Sequence, residues 1–474
     1  MDKFKEDFID FLLDTNSLKV GGDFTLKSKR LSPYFVNVGD FSDGNSVGVL
    51  GKAYASAIKS EGLDCDILFG PSYKGIPLAV TTAIALAQQG VNVGFTFDRK
   101  EAKDHGEVTN KSDLQKAILV GKKIQDGANV IMLDDVFTTG DTKYETIDLI
   151  NKMANNVNYK GVVIAVDRQE AGINDASAIG EFVEKTGIPV PAIVTTSEIY
   201  EHLKTKPELD QTAIDRIALY LRVYGTDAAR EHISKFLNPA YQRIIKQNRS
   251  VIPACDVEVI EHFEEIVKQT HDLKDISAYK IGFELGLYYG LPAIVKVARK
   301  YTDKPLIYDH QKAGSDIPDT GKNFARVMKK SGIDTVILFP QAGPETEKSW
   351  IYHALDYGLN VIVGGRMTHP AYAQSEGGFI SDEGAMRMYR IAARAGVNNF
   401  VVPGNKPDVI REVKEMVEAE GVNPTFYAPG FVAQGGKIED TTKVAGDKWH
   451  AIVGRGITEA KDIRKAAEEL TSKL

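Results

Sequence analysis

From Ser250 to the last residue the chain repeats one unit, and this repetition restricts its fold more than any other feature. Apolar, strand-like runs occur at VIPACD (251–256), AYKIG (278–282), PLIYD (305–309), TVILFP (335–340), NVIVGG (360–365), NFVVPG (399–404), TFYAPG (425–430) and HAIVGRG (450–456). Amphipathic helical stretches separate most of them. Eight strand and helix units in this length predict a closed (β/α)8 barrel, with a doubly wound sheet as the alternative that needs a different strand count. The units share little sequence, so the repetition is architectural and not that of a solenoid.

Polar residues fall at the ends of these runs, where barrels keep their chemistry. Asp256 ends the first run, Lys280 lies in the second, and DHQKAGSDIPDT (309–320) follows the third. Thr368 and His369 follow the fifth, Gln434 and Gly435 the seventh, and Gly454 and Arg455 the eighth. Any one of these suits a strand-end cap or an ion pair, but six strand ends in phase mark an active face. The segments APGFVAQGG (428–436) and IVGRG (452–456) lie after strands seven and eight, the usual phosphate site of a barrel, with Arg455 as anion clamp.

The chain has 474 residues, too many for one ordinary core, so a second domain precedes the barrel. The expected division is a first domain over 1–207, a helical connector over 208–248 and the barrel over 249–474. Hydrophobic residues make up 43% and charged residues 26%, which supports sizeable cores and no long disorder. No apolar stretch is long enough for a membrane span, and MDKFKEDFIDFLLDT reads as an amphipathic helix and not a signal peptide, which points to a cytoplasmic protein. A net charge of −7 weighs against nucleic acid as partner. Two cysteines in different domains give no disulfide framework, and the nine histidines lack zinc-binding spacing.

In the first domain VIMLDDVFTTGDT (130–142) is an apolar run, two carboxylates, then a Thr/Gly loop entering a helix. Such a run is a buried parallel strand, and Asp134 and Asp135 at its carboxyl end face a ligand crevice. Thr138, Thr139, Gly140 and Thr142 offer hydroxyls and N–H groups at a helix N-terminus, suited to a phosphate. Paired acids beside a phosphate cradle suit a sugar phosphate, whose vicinal hydroxyls donate to the acids. The loop lacks the Lys-Ser/Thr ending of a Walker A motif. FDRKEAKDHG (97–106) places Arg99, Lys100, Lys103 and His105 within seven residues, a charge density that suits a polyanionic leaving group.

VIMLDDVFTTGDT resembles the PRPP-binding motif of type I phosphoribosyltransferases, a parallel sheet with flanking helices. FGPSYKGIPL (69–78) and FDRKEAKDHG resemble orotate phosphoribosyltransferases in particular. The resemblance implies a closing loop in which Arg99, Lys100, Lys103 and His105 meet the pyrophosphate, with Lys74 reaching it from the first segment. KSKRLSPYFVN (27–37) resembles the family's base-binding segment. There Tyr34 and Phe35 would be the aromatic pair beside orotate and Lys27 would meet an anion. AVDRQE (165–170) implies Arg168 as the contact to the orotate carboxylate. Mg²⁺ is expected to arrive with PRPP and not in a protein cage.

The second half resembles orotidine 5′-monophosphate decarboxylases, which work without a cofactor, and the whole chain resembles the bifunctional UMP synthases. The resemblance implies a charged array of Lys280, Asp309, Lys312 and Asp316, the last supplied to a neighbouring subunit together with Thr320 in a homodimer. Thr368 would contact the pyrimidine, Asp256 the ribose, and Gln434, Gly435 and Arg455 the phosphate. The family spacing is D-x-K-x-x-D-I, whereas Asp309, Lys312 and Asp316 are one residue further apart in each gap. Gln311 is the alternative occupant of the first acid position if the loop bulges. The expected ligands are orotate, PRPP, orotidine 5′-monophosphate and UMP. The rival reading is a regulatory PRPP-binding module fused to a sugar-phosphate lyase barrel.

Overall fold

The computed structural model describes residues 1–100, 111–137, 140–172, 176–236, 243–309, 316–432 and 434–474. The chain divides into two compact units, Met1–Leu237 and Asn238–Leu474.

The first unit opens with a helix, Lys3–Asp14, and an antiparallel hairpin of β1 (Leu18–Thr25) and β2 (Leu31–Val36). A six-stranded sheet follows, built from β3 (Ile67–Phe69), β4 (Gly94–Asp98), β5 (Leu119–Gly121), β6 (Asn129–Val136), β7 (Asn158–Asp167) and β8 (Ala192–Thr195). Its order is β5-β4-β3-β6-β7-β8, parallel throughout except for β5 against β4. The apolar run of β6 takes the centre, where Val130, Ile131, Met132 and Leu133 are at most 1% exposed. Such continuous burial is what a strand covered on both faces requires. Helix starts are fixed locally: Asp43 and Ser46 form a capping box for Gly44–Ser60, and Thr195 and Glu198 one for Thr196–Lys204.

The described residues of segment 208–248, expected as a helical connector, divide between the two units. Helices Gln211–Tyr224 and Asp227–Ser234 are part of the first. The apolar stripe of Ile214, Ile217 and Leu221 needs a partner, and it is buried to 1% exposure or less. The same helix meets the hairpin through Tyr220, edge-on to Tyr34 at 5.9 Å, and through Arg216, whose Nη2 pairs with Asp23 at 2.6 Å. Past the undescribed stretch, Ile245 joins the core of the second unit.

The second unit is a closed parallel barrel of β9 (Arg249–Cys255), β10 (Tyr279–Ile281), β11 (Leu306–Tyr308), β12 (Thr335–Leu338), β13 (Asn360–Gly364), β14 (Asn399–Val401), β15 (Thr425–Pro429) and β16 (Trp449–Val453). Every strand coincides with one of the eight runs, and β16 pairs with β9 from Trp449↔Arg249 to Val453↔Pro253. That closure excludes the doubly wound alternative. Ile252, Ala254, Ile307, Ile337, Ile362, Tyr427 and Ile452 fill the interior. Among the described residues no helix is long and apolar enough to cross a membrane.

Candidate active sites

In the first unit the site residues lie at the carboxyl ends of β3, β4, β6 and β7, neighbours in the sheet. The two acids of β6 are both engaged by lysines. Lys74, in the loop after β3, pairs with Asp135 Oδ2 at 2.8 Å. Lys143 pairs with Asp134 and donates to the Val136 carbonyl at 3.2 Å. Burial raises the Asp134 pKa and Lys143 opposes that shift. Tyr54 Oη donates to the Asp134 carbonyl at 2.6 Å, fixing the strand end from below. Gly140 caps the helix Asp141–Met153 at φ 85°, a conformation that favours glycine, and Thr142 stands exposed in its first turn. Thr138 and Thr139 lie outside the described residues.

Lys143 was not anticipated from the sequence. The signal available was its place: a lysine in the first turn of a helix opposes the helix dipole, so it needs an acid to offset that cost. Of the basic segment, only its start at the end of β4 lies within the described residues. Ser72 N donates to Asp98 Oδ1 at 2.7 Å, joining the β3 loop to the end of β4, and Lys100 Nζ lies 5.9 Å over the Tyr73 ring. Arg99 N is held by the Ile118 carbonyl at 2.7 Å. Lys103 and His105 lie outside the described residues.

On the base side, Tyr34 and Phe35 are successive residues of β2 and point to opposite faces, so they do not line one surface together. Tyr34 is fully buried, its hydroxyl 3.2 Å from Thr196 Oγ1, with the Arg168 guanidinium carbon 4.5 Å from its ring centre. Phe35 is half-buried and leans on Phe24 at 5.8 Å. Lys27 is exposed in the turn between the hairpin strands. Arg168 Nε and Nη2 both reach Glu170 Oε1, at 2.8 and 2.7 Å. Burial opposes the Arg168 charge, but Glu170 and the neighbouring tyrosines more than compensate and its pKa is raised.

In the barrel a cavity of about 380 Å³ opens among the strand ends. It gathers Asp256, Lys280, Asp309, Thr368, Gln434 and Arg455, together with Arg366, which the sequence reading had not singled out. Lys280 is the hub. Its Nζ lies 3.1 Å from both Asp256 oxygens and 3.0 Å from Asp309 Oδ2, and only 6% of the residue is exposed. Burial works against its charge, yet the two acids outweigh it and raise its pKa. Gly282, just past β10, leaves room for the Asp256 carboxylate, which a side chain at that position would displace. Asp309 Oδ1 is buried without a hydrogen-bond partner among the described residues. Lys312 and Gln311 lie outside the described residues.

Asp316 and Thr320 do not line this cavity. Asp316 is exposed, and its segment is pinned to the helix Pro344–Asp356: Thr346 Oγ1 donates to the Asp316 carbonyl at 2.9 Å and Ser349 Oγ to that of Pro318 at 2.7 Å. Arg366 Nη1 pairs with Asp382 at 2.7 Å. Gln434, Gly435 and Arg455 are exposed at the rim.

A parallel sheet with paired acids at the end of its central strand, followed by a barrel with a lysine between two acids, defines a phosphoribosyl-transferring domain joined to a barrel lyase. Residues 43–168 match the phosphoribosyl transferase domain family, and residues 249–470 match the orotidine 5′-phosphate decarboxylase / HUMPS family. The orotate phosphoribosyltransferase of Marinobacter nauticus is 45% identical over 225 residues, 48% of this chain and 100% of its own. That of Clostridium acetobutylicum is 42% identical over 232 residues, 48% of this chain and 99% of its own. The solved orotidine 5′-monophosphate decarboxylase of Methanocaldococcus jannaschii is 28% identical, covering 48% of this chain and 99% of its own with a TM-score of 0.43.

The chain belongs to the orotate phosphoribosyltransferase family through its first unit and carries an orotidine 5′-phosphate decarboxylase domain as its second. Joined in one chain, these two enzymes are those of the last two steps of UMP biosynthesis, the fusion of a bifunctional UMP synthase.

Proposed function

We propose that the two reactions run on the groups described above, orotidine 5′-monophosphate made in the first unit being decarboxylated in the second. In the first reaction the orotate nitrogen attacks ribose C1 of PRPP as pyrophosphate leaves. Asp134 and Asp135 accept the ribose hydroxyls and stabilise the oxocarbenium character of C1. Lys74, Arg99 and Lys100, joined by Lys103 and His105, meet the charge gathering on pyrophosphate. Arg168 receives the orotate carboxylate. Mg²⁺ would arrive with PRPP, held mainly by phosphate oxygens and water, while Asp134 and Asp135 serve the ribose hydroxyls. When bound, the ion offsets phosphate charge. The basic groups at the ends of β3 and β4 favour turnover over a merely sensory PRPP site.

In the second reaction the C6 carboxylate departs as carbon dioxide and leaves a carbanion that ordinary resonance does not spread. Fixed charge must stabilise it. The observation that carries this reading is the Asp256, Lys280 and Asp309 cluster in the barrel mouth, whose central lysine is kept charged while one oxygen of Asp309 stays uncommitted among the described residues. Asp309 presses on the leaving carboxylate, Lys280 balances the acids, and Lys312 favours the carbanion and then protonates C6. Thr368 contacts the pyrimidine, Asp256 the ribose, and Gln434, Gly435 and Arg455 the phosphate.

Two chains share these sites as a homodimer, each lending Asp316 and Thr320 to its neighbour. Support comes from the exposure of Asp316 away from its own cavity and from Phe283, Leu287 and Tyr288, 58%, 72% and 79% exposed on one short helix after β10.

The test follows orotate and PRPP to UMP with and without Mg²⁺, for the parent and for Lys312→Ala. The parent should form UMP only with Mg²⁺, and the variant should accumulate orotidine 5′-monophosphate at near the parent rate. UMP formation by the variant at the parent rate would remove Lys312 from the mechanism, and equal turnover in excess chelator would remove Mg²⁺.

A further inference from the structure

Arg168 is held from one side only. Its Nε and Nη2 converge on a single oxygen, Glu170 Oε1, at 2.8 and 2.7 Å, Nη2 lies 3.4 Å from Ser32 Oγ, and Tyr34 covers one face. Among the described residues, no hydrogen bond engages Nη1. The second oxygen of Glu170 lies 3.9 Å from Arg30 Nη1, and that nitrogen also donates to the Ala171 carbonyl at 3.0 Å. Arg30 in turn lies 5.0 Å over the ring of Tyr224. The side chains of Arg30, Glu170 and Arg168 are 11%, 18% and 19% exposed, so the row is largely shielded from water.

The backbone is fixed at the same place. Ala171 N donates to the Tyr224 carbonyl at 2.8 Å and Thr226 N to the Gln169 carbonyl at 2.8 Å, tying the turn after β7 to the end of the helix Gln211–Tyr224. Ser197 N donates to Gln169 Oε1 at 2.9 Å and holds the turn from the β8 side. A guanidinium grips a carboxylate well only when its plane is set beforehand, because its long side chain otherwise loses rotamer freedom on binding. One carboxylate between two guanidinium groups sets that plane and still leaves the row one positive charge in excess, favourable to an anion.

We propose that Glu170 is a positioning residue for the base subsite, orienting Arg168 toward the orotate carboxylate, with Arg30 and the helix Gln211–Tyr224 fixing Glu170 in turn. The inference rests on the reading of Arg168 as the contact to that carboxylate. It opposes a simple electrostatic expectation. An acid beside an anion site weakens binding by repulsion, so a Glu170 that did nothing else would, once removed, leave orotate bound more tightly.

The experiment uses the full chain with Glu170→Ala, Glu170→Gln and Arg168→Met, measuring kcat and the KM values for orotate and PRPP, with decarboxylation of added orotidine 5′-monophosphate as an internal control. Glu170→Ala should raise the orotate KM about tenfold, the scale of one lost charge-assisted hydrogen bond, with the PRPP KM nearly unchanged. Glu170→Gln keeps an acceptor for Nε and should recover most of the loss. Should Glu170→Ala prove unfolded, Arg30→Met gives the same reading, a raised orotate KM with PRPP unaffected. An orotate KM that stays level or falls in Glu170→Ala while Arg168→Met raises it overturns the positioning role. A KM for orotate unmoved by Arg168→Met overturns the reading of Arg168 itself and the proposal with it.

Discussion

Two buried bases in the same barrel differ in charge, one cationic and one neutral. Burial disfavours the charged form of both Lys280 and His450, so partners decide. Lys280 has Asp256 and Asp309 and stays protonated. His450, in β16, has Ser250 Oγ 2.7 Å from Nδ1 and the positive charge of Arg243 nearby, and burial followed by Arg243 pushes its pKa down to about 3. A histidine protonated near pH 6.5 when unfolded and near 3 when folded makes the unfolded state bind more protons between those values. Stability is therefore intact above about pH 6.5 and falls as the pH drops toward 3, by up to about 1.4 kcal/mol per pH unit from this group. Replacing it as His450→Gln should cost stability at neutral pH and flatten the acid limb of the barrel's urea midpoint between pH 6.5 and 4. Parallel limbs in parent and variant would show that His450 does not set the slope.

At the scale of elements, the barrel strands and β6 were legible because a strand buried on both faces must be apolar along its length, and nothing else in the chain imitates that run between turn residues. The site acids were legible for the same reason: each follows such a run. Lys143 and Glu170 were not, since a polar residue reveals its partner only when the fold is known, and Glu170 meets Arg30 from a distant part of the chain. The adjacent rings of Tyr34 and Phe35 were paired through the family resemblance, and strand alternation separates them. The helix Gln211–Tyr224 showed a buried stripe but not what it was buried against, which is why it was read as connector. Its packing on Tyr34 and on the turn carrying Arg168 makes it part of the first enzyme. The first unit, Met1–Leu237, is compact by itself and includes this helix. A chain of residues 1–236 should accordingly form orotidine 5′-monophosphate at close to the parent kcat/KM, whereas residues 1–206 should lose most of it or aggregate, having exposed Tyr34 and freed the Arg168 turn. Steady-state kinetics on both, with circular dichroism as a check of folding, decide the matter. Equal activity would reduce the helix to a passive tether.

For the molecule as a whole, the consequence of fusion is that both reactions share one concentration and one oligomeric state. If the barrel pairs about a two-fold axis and exchanges Asp316, each decarboxylase site is built from two chains while each transferase keeps its own Lys74, Asp134, Asp135 and Arg168. Mixing Lys312→Ala chains with Asp316→Ala chains separates the possibilities. In a mixed dimer, one site combines an intact Lys312 with an intact Asp316 and the symmetry-related site lacks both. After random exchange about half of the dimers are mixed, each with one good site, so about a quarter of the parent decarboxylase activity should return although each variant alone is nearly inactive. Orotidine 5′-monophosphate formation should stay at the parent level in all three samples, which controls for concentration and folding of the first unit. Recovery should follow the rate of subunit exchange measured independently, for example by energy transfer between differently labelled chains. Full exchange without recovery would mean that Asp316 serves its own chain or none, and the shared site would have to be abandoned.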